Sequence, residues 1–272
     1  MSLELISATT LIKDALGTSP GLVNWAVNTT AEAAYDRIKI LREFVDDGDR
    51  EGAIKWLRDQ RYARTGAAAA RGTDVHRVAE QLHLGNVVEY DEAIEGYITQ
   101  YRRFLEDFQP QFELAEAPVY NVTHRYAGTL DGVAVIDGRR LVVDIKTTAH
   151  GPNATDDSGK PKSRPPFPEV ALQLTLYRHA ELVGLLADRR EIQYRRYYVF
   201  DPASHTEPMP EVEGGVCIVV SPEDYLVVPV ATSEEIWKAC RHVIQVARFQ
   251  LETSKTVFGP PLSVPVREGV EA

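Results

Sequence analysis

Two carboxylates and a lysine fall within sixteen residues of each other: Asp131 in Gly128-Thr129-Leu130-Asp131-Gly132, then Asp144 and Lys146 in Asp144-Ile145-Lys146. Between them two runs of β-branched and aliphatic residues flank Asp137-Gly138. Asp-Gly is a strong signal for a two-residue hairpin turn, because both central positions need positive φ. With that turn, Ile136 opposes Arg139, Asp131 falls opposite Asp144, and Thr129 falls opposite Lys146. Side chains alternate along a strand, so Asp131, Asp144 and Lys146 share one face with the apolar Val133 and Val142. Directly opposed like charges destabilise a strand pair. Two carboxylates beside an apolar floor therefore call for a cation, and Mg²⁺ and Mn²⁺ bind through such oxygens. A solvated hairpin with incidental charges, or a four-residue loop that shifts the register, is the competing reading.

Three further segments accompany this hairpin in order along the chain. Arg71-Gly72-Thr73-Asp74-Val75-His76, with Glu80 following, precedes it; Gln173-Leu174-Thr175-Leu176-Tyr177 follows it. Read with G-x-x-D at Gly128–Asp131 and D-x-K at Asp144–Lys146, they resemble the RecB-like branch of the PD-(D/E)XK nuclease superfamily. That branch includes the CRISPR-associated Cas-four exonucleases and many phage recombination exonucleases. The resemblance implies an α/β fold of mixed α+β type: a restriction-endonuclease-like core, with a mixed sheet flanked by helices. It implies one or two Mg²⁺ or Mn²⁺ ions held by His76, Asp131, Asp144 and the carbonyl of Ile145. Lys146 would position or deprotonate the attacking water, and Gln173, Tyr177 and Arg71 would meet the substrate strand. Glu116, on the preceding strand, is a candidate ligand or a support for one, and Glu80 a candidate to orient the His76 ring.

The implied activity is phosphodiester hydrolysis in DNA, as an exonuclease on single strands or duplex ends. A structure-selective or restriction-type endonuclease on the same core is the alternative, and a catalytically dead DNA-binding module a third. The implied setting is recombination, repair or phage replication, in a bacterial or phage-infected cytosol, beside a strand-annealing recombinase. Cas-four proteins often hold an iron–sulfur cluster on four cysteines. This chain has two, Cys217 and Cys240, so no such cluster is expected and the phage-type relatives are the nearer comparison.

The elements that must position these residues follow from periodicity. Residues 1–109 read as a helical region, with helices over 31–46 (capped by Thr30), 50–61, 73–84 and 91–108. Gly72-Thr73 reads as a restart, and His83 as a surface residue. Residues 110–256 read as the nuclease core. Its strands cover 112–121, 125–136, 141–148, 192–200, 216–220 and 225–230, with helices over 170–186 and from Ser233 to 251. Pro118 suggests that its strand lies at an edge. Residues 150–168 read as a long loop and 257–272 as a flexible tail.

A net charge of −10 excludes a protein that coats nucleic acid through broad positive charge. Local grip remains open through Arg61, Arg64, Arg71 and Arg77, through Lys160, Lys162 and Arg164, and through Arg189, Arg190, Arg195 and Arg196. Trp25, Trp56 and Tyr62 are candidate stacking platforms for bases. No apolar run is long enough for a membrane span, no signal peptide is evident, and both cysteines read as buried free thiols in a cytoplasmic protein.

Overall fold

The structure is a computed structural model that describes residues 3–18, 20–151, 154–155, 158–159, 166–184, 197–201 and 205–262, without the side chains of residues 61, 63–65, 197 and 199. The described strands are β1 (Leu3–Ser7), β2 (Gln111–Asn121), β3 (Tyr126–Ile136), β4 (Arg139–Thr147), β5 (Leu182–Gly184), β6 (Tyr197–Phe200), β7 (Thr206–Pro208), β8 (Gly214–Val220) and β9 (Tyr225–Val230). The helices are α1 (Ala8–Leu16), α2 (Pro20–Asp36), α3 (Ile38–Asp46), α4 (Arg50–His83), α5 (Glu95–Phe108), α6 (Glu169–Arg178) and α7 (Glu234–Leu251). The architecture is mixed α/β. One sheet runs in the order β7-β5-β2-β3-β4-β8-β9, and β1 pairs with β3 and β6.

Alternation along β4 divides the core between the two sheet faces. Val142 packs with Cys217, Leu174, Leu176 and Tyr177 under α1, α6 and α7. Leu141, Val143 and Ile145 pack with Val75, Val78, Ile98, Tyr101 and Phe104 of α4 and α5. Both cysteines are buried and free. Among the described residues no helix is long and apolar enough to cross a membrane.

The hairpin turn forms as its sequence dictates. Asp137 and Gly138 have φ of 50° and 73°, and Ile136 faces Arg139. The ladder then runs outward through Val133↔Val142 to Gly132↔Val143, where it stops. Beyond that point β4 continues alongside β8, through the parallel pairs Asp144↔Cys217, Ile145↔Ile218 and Lys146↔Val219. The first residues of β3 pair instead with β1, at Ile6↔Tyr126 and Ser7↔Ala127. Strands β3 and β4 therefore part at the level of Asp131 and Asp144, and β1 occupies the far side of the fork.

Several expectations are corrected. The helices over 50–61 and 73–84 are one 34-residue helix, α4. The high helix propensity of Ala67–Ala70 carries it through Gly66 and Gly72, at a cost of about 1 kcal/mol for each glycine. Gly72 is no restart; it lies within α4 near the end of β4, where an added Cβ would make an ordinary contact with Thr147 Oγ1 at 3.6 Å. The helix expected over 31–46 is broken at Arg37 into α2 and α3, and Thr30 lies inside α2 with its hydroxyl bonded to Ala26 O. The helix expected over 170–186 ends at Arg178, and Leu182–Gly184 joins the sheet as β5. Strand β2 is not an edge, because β5 covers Val119 and Tyr120. That pairing begins just past Pro118, which has no N–H to offer. Within the region expected to be helical, Leu3–Ser7 instead form the strand β1, ahead of α1. Lys160, Lys162, Arg164, Arg189, Arg190, Arg195, Arg196, much of the loop over 150–168 and most of the tail lie outside the described residues.

His83 is also not a surface residue. Its ring stacks on Phe112 with centroids 3.5 Å apart, and its Nε2 meets the Tyr101 hydroxyl, which ties α4 to α5 and β2. Burial pushes its pKa down to about 4, against the pull of Asp131. The unfolded chain therefore takes up a proton at His83 near pH 6.5 that the folded chain refuses until about pH 4. Stability should fall as pH drops through that window, by at most about 3 kcal/mol from this residue. Thermal melts from pH 7 to 5 should show a flatter dependence for His83→Phe than for the parent. Parallel curves would refute the burial assignment.

Candidate functional site

The fork leaves the backbone of Ile145 facing away from β8, with no strand paired to it there among the described residues. Both of its polar groups are taken by side chains: Ile145 N–H donates to Asp131 Oδ2 at 2.6 Å, and Ile145 O pairs with His76 Nε2 at 2.9 Å. The helix α4 brings His76 to this point because Val75, Val78 and Ala79, its neighbours on the same turns, are buried against the sheet. His76 Nδ1 lies 3.4 Å from Asp131 Oδ1 and 3.4 Å from Glu116 Oε1. His76, Glu116 and Asp131 thus form one cluster whose potential ligand atoms all lie within 4.8 Å of one another.

Asp144 lies beside this cluster but is held differently. Its side chain is 2% exposed; Oδ1 accepts from Lys146 Nζ at 2.7 Å and Oδ2 lies 3.7 Å from Cys217 Sγ. The Lys146 side chain is 41% exposed, with its ammonium anchored on a buried carboxylate. The feared face-to-face repulsion of Asp131 and Asp144 is therefore answered by two cations, one on each. Burial opposes charge on His76, but the Asp131 and Glu116 carboxylates outweigh it and raise the imidazole to about 11. Burial likewise opposes the charge of Asp131, and His76, Lys146 and the Ile145 amide bring its pKa below the ordinary value. Asp144 goes the other way, to about 6, because burial and Asp131 outweigh Lys146.

The remaining sequence candidates divide. Gln173 Nε2 donates to Tyr177 OH at 3.3 Å, and Tyr177 is 3% exposed. Its ring covers Gly128 so closely that an added Cβ would lie 2.5 Å from Tyr177 Cε1. The glycine of G-x-x-D and the tyrosine of Q-x-x-x-Y thus touch each other, and Tyr177 works as a buried wall. Arg71 is not brought to the cluster: its guanidinium lies over the Tyr97 ring of α5, 5.5 Å from the centroid. His76 Nδ1 faces Glu116 and Asp131; Glu80 lines the adjoining cleft and adds negative charge near Glu116. Trp25 and Trp56 are half-buried in the helical arm, and Tyr62 is exposed there at 59%.

That cleft, about 440 Å³, is lined by Ala69, Gly72, Thr73, His76, Arg77, Glu80 and Glu116. Arg77 was read only as part of a basic run, and its place on the cleft follows from sitting one residue after His76 on α4. Nothing in the sequence singled out Cys217 as the neighbour of Asp144; only the parallel register with β8 brings it there.

No family model matches the chain, and no curated protein matches it. Among solved structures it is similar to a crystal structure of a protein designated SSO0001, at 14% identity and a TM-score of 0.28, over 66% of this chain and 84% of that one. At that score the likeness carries no argument.

The role of Asp131 in capping the Ile145 amide reverses a simple expectation. Removing one of two facing carboxylates would ordinarily relieve repulsion and stabilise the hairpin. Here Asp131→Asn takes away the partner charge of His76 and weakens the bond that satisfies a buried amide, so it should destabilise the metal-free protein by about 1–3 kcal/mol. Melting in chelator checks this, and an unchanged or raised melting temperature would contradict it.

Proposed function

We propose that the chain is a metal-dependent deoxyribonuclease of the PD-(D/E)XK kind, acting as an exonuclease on DNA ends. The observation that carries this reading is the convergence of His76, Asp131 and Ile145 at the fork, with Lys146 anchored on Asp144 two residues along the same strand. Residues from three of the four motif segments meet there, and the fourth, through Tyr177, packs on Gly128 of the second.

The donor set fits a hard or borderline divalent cation: carboxylates and one imidazole, no thiolate. Such an ion, when bound, lowers the pKa of water and offsets charge on a phosphoryl group. His76 and Asp131 would hold it. Lys146, fixed at its ammonium by Asp144 on a partly exposed side chain, would hold a water or a non-bridging phosphate oxygen at Nζ. Arg77 on the cleft wall can pair with a phosphate, which gives a chain of net charge −10 a local cation for its substrate.

End-labelled linear DNA and closed circular DNA, each with Mn²⁺ and with excess chelator, test the reading. Linear DNA should be degraded to products with 5′-phosphates only when the ion is present, and closed circles should survive. Cleavage undiminished in chelator, or a covalent protein–DNA intermediate, would overturn metal-dependent hydrolysis. Cutting of circles would instead indicate an endonuclease on the same centre. Lys146→Ala should retain less than a tenth of the parental rate while binding Mn²⁺ within a few-fold of the parent. A faster variant would remove Lys146 from the chemistry.

A further inference from the structure

Strand β8 reads Gly214-Gly215-Val216-Cys217-Ile218-Val219-Val220, and every one of these residues is buried. Cys217 alone among them has a side chain with a polar hydrogen. The parallel register sets it directly beside Asp144, the buried acid of β4. Both side chains leave the sheet on the face that carries Val142 and is covered by α6 and α7. A thiol one place earlier or later, at Val216 or Ile218, would face α4 and α5 instead.

An aspartate carboxylate has little preference of its own for rotation about Cβ–Cγ. At a buried position its plane is set by the donors that meet its two oxygens. Lys146 Nζ lies 2.7 Å from Oδ1, and Cys217 Sγ lies 3.7 Å from Oδ2. Burial pushes the pKa of the Cys217 thiol up, so it keeps its proton. The S–H···O contact is weak taken singly, but it acts on the oxygen that Lys146 does not hold. Lys146 has a flexible four-carbon stem and a side chain 41% exposed, so it follows the carboxylate rather than fixing it.

We propose that Cys217 is a positioning residue for the site: its S–H, donated to Asp144 Oδ2, sets the plane of that carboxylate and thereby keeps Oδ1 on Lys146 Nζ. The effect on rate rests on the nuclease reading above; the geometry does not. Cys217 touches no substrate and acts only through Asp144.

Cys217→Thr and Cys217→Val test this, because threonine and valine have nearly the same shape and differ in the hydroxyl. The hydroxyl is the stronger donor, which offsets its shorter reach. With Mn²⁺ and linear DNA, Cys217→Val should lose about tenfold in kcat with KM within about twofold of the parent, as a misplaced group does. Cys217→Thr should recover most of that loss. If Cys217 served packing alone the order would reverse, since a buried hydroxyl without a role is the costlier replacement. Cys217→Ala, also without a donor, repeats the comparison if Cys217→Val does not fold. Without DNA, the proton–nitrogen correlation signal of the Lys146 ammonium, assigned by its loss in Lys146→Arg, gives a second readout. It should persist in the parent and in Cys217→Thr and broaden away in Cys217→Val. A parental kcat and signal in Cys217→Val, a Cys217→Val that outperforms Cys217→Thr, or a parent without the ammonium signal overturns the proposal. The expected ammonium pattern in a protein that leaves all DNA intact would sink the nuclease reading and keep the positioning role.

Discussion

A strand that leaves its neighbour in the middle of a sheet must find other partners for its peptide groups, and in this chain that demand falls on Ile145. The residue is 1% exposed, so an unmet N–H or C=O there would cost about 1–3 kcal/mol. Asp131 meets the first and His76 meets the second. Because they do, β4 can turn wholly to β8 and β1 can pair with the free length of β3. The polar cluster is thus a structural joint as well as a candidate reaction centre. Its geometry is set by backbone groups, which fix side chains more rigidly than solvent-facing contacts would.

The electrostatics follow from the same joint. Three carboxylates, Glu116, Asp131 and Asp144, are drawn to one end of the fork in a protein that already carries −10. His76 and Lys146 offset part of that charge, and burial raises the pKa of both Glu116 and Asp144 above the ordinary carboxylate value. The excess is negative, buried, and open on one side to a cleft that holds Arg77. On the proposed reading, a divalent cation would answer that charge first, and a phosphate would bind only through it or through flanking cations.

The hairpin was legible because Asp137-Gly138 names its turn type, and the turn fixes the register back to Gly132 and Val143. That alone put Asp131 level with Asp144. What it could not give was the parting of the strands, since no local residue announces that β4 will prefer β8. The pairing of each acid with its own cation was hidden for that reason. His83 left a signal that was passed over: it stands seven residues after His76, two turns along the helix face that meets the sheet. The positive φ of Glu116 left none, because glutamate carries no preference for a left-handed backbone. The single α4 was misread for an opposite reason, in that two glycines look like breaks unless the alanine run between them is weighed as helix-forming. Arg71 was assigned by its place in a motif, and packing on Tyr97 claimed it instead.

Anomalous diffraction from crystals of the full chain soaked in Mn²⁺ addresses the central claim most directly, because it locates an ion without reference to activity. The account predicts one strong peak at the fork, beside the His76 imidazole and the Asp131 carboxylate. No peak at the fork would contradict the claim that this joint is a metal centre.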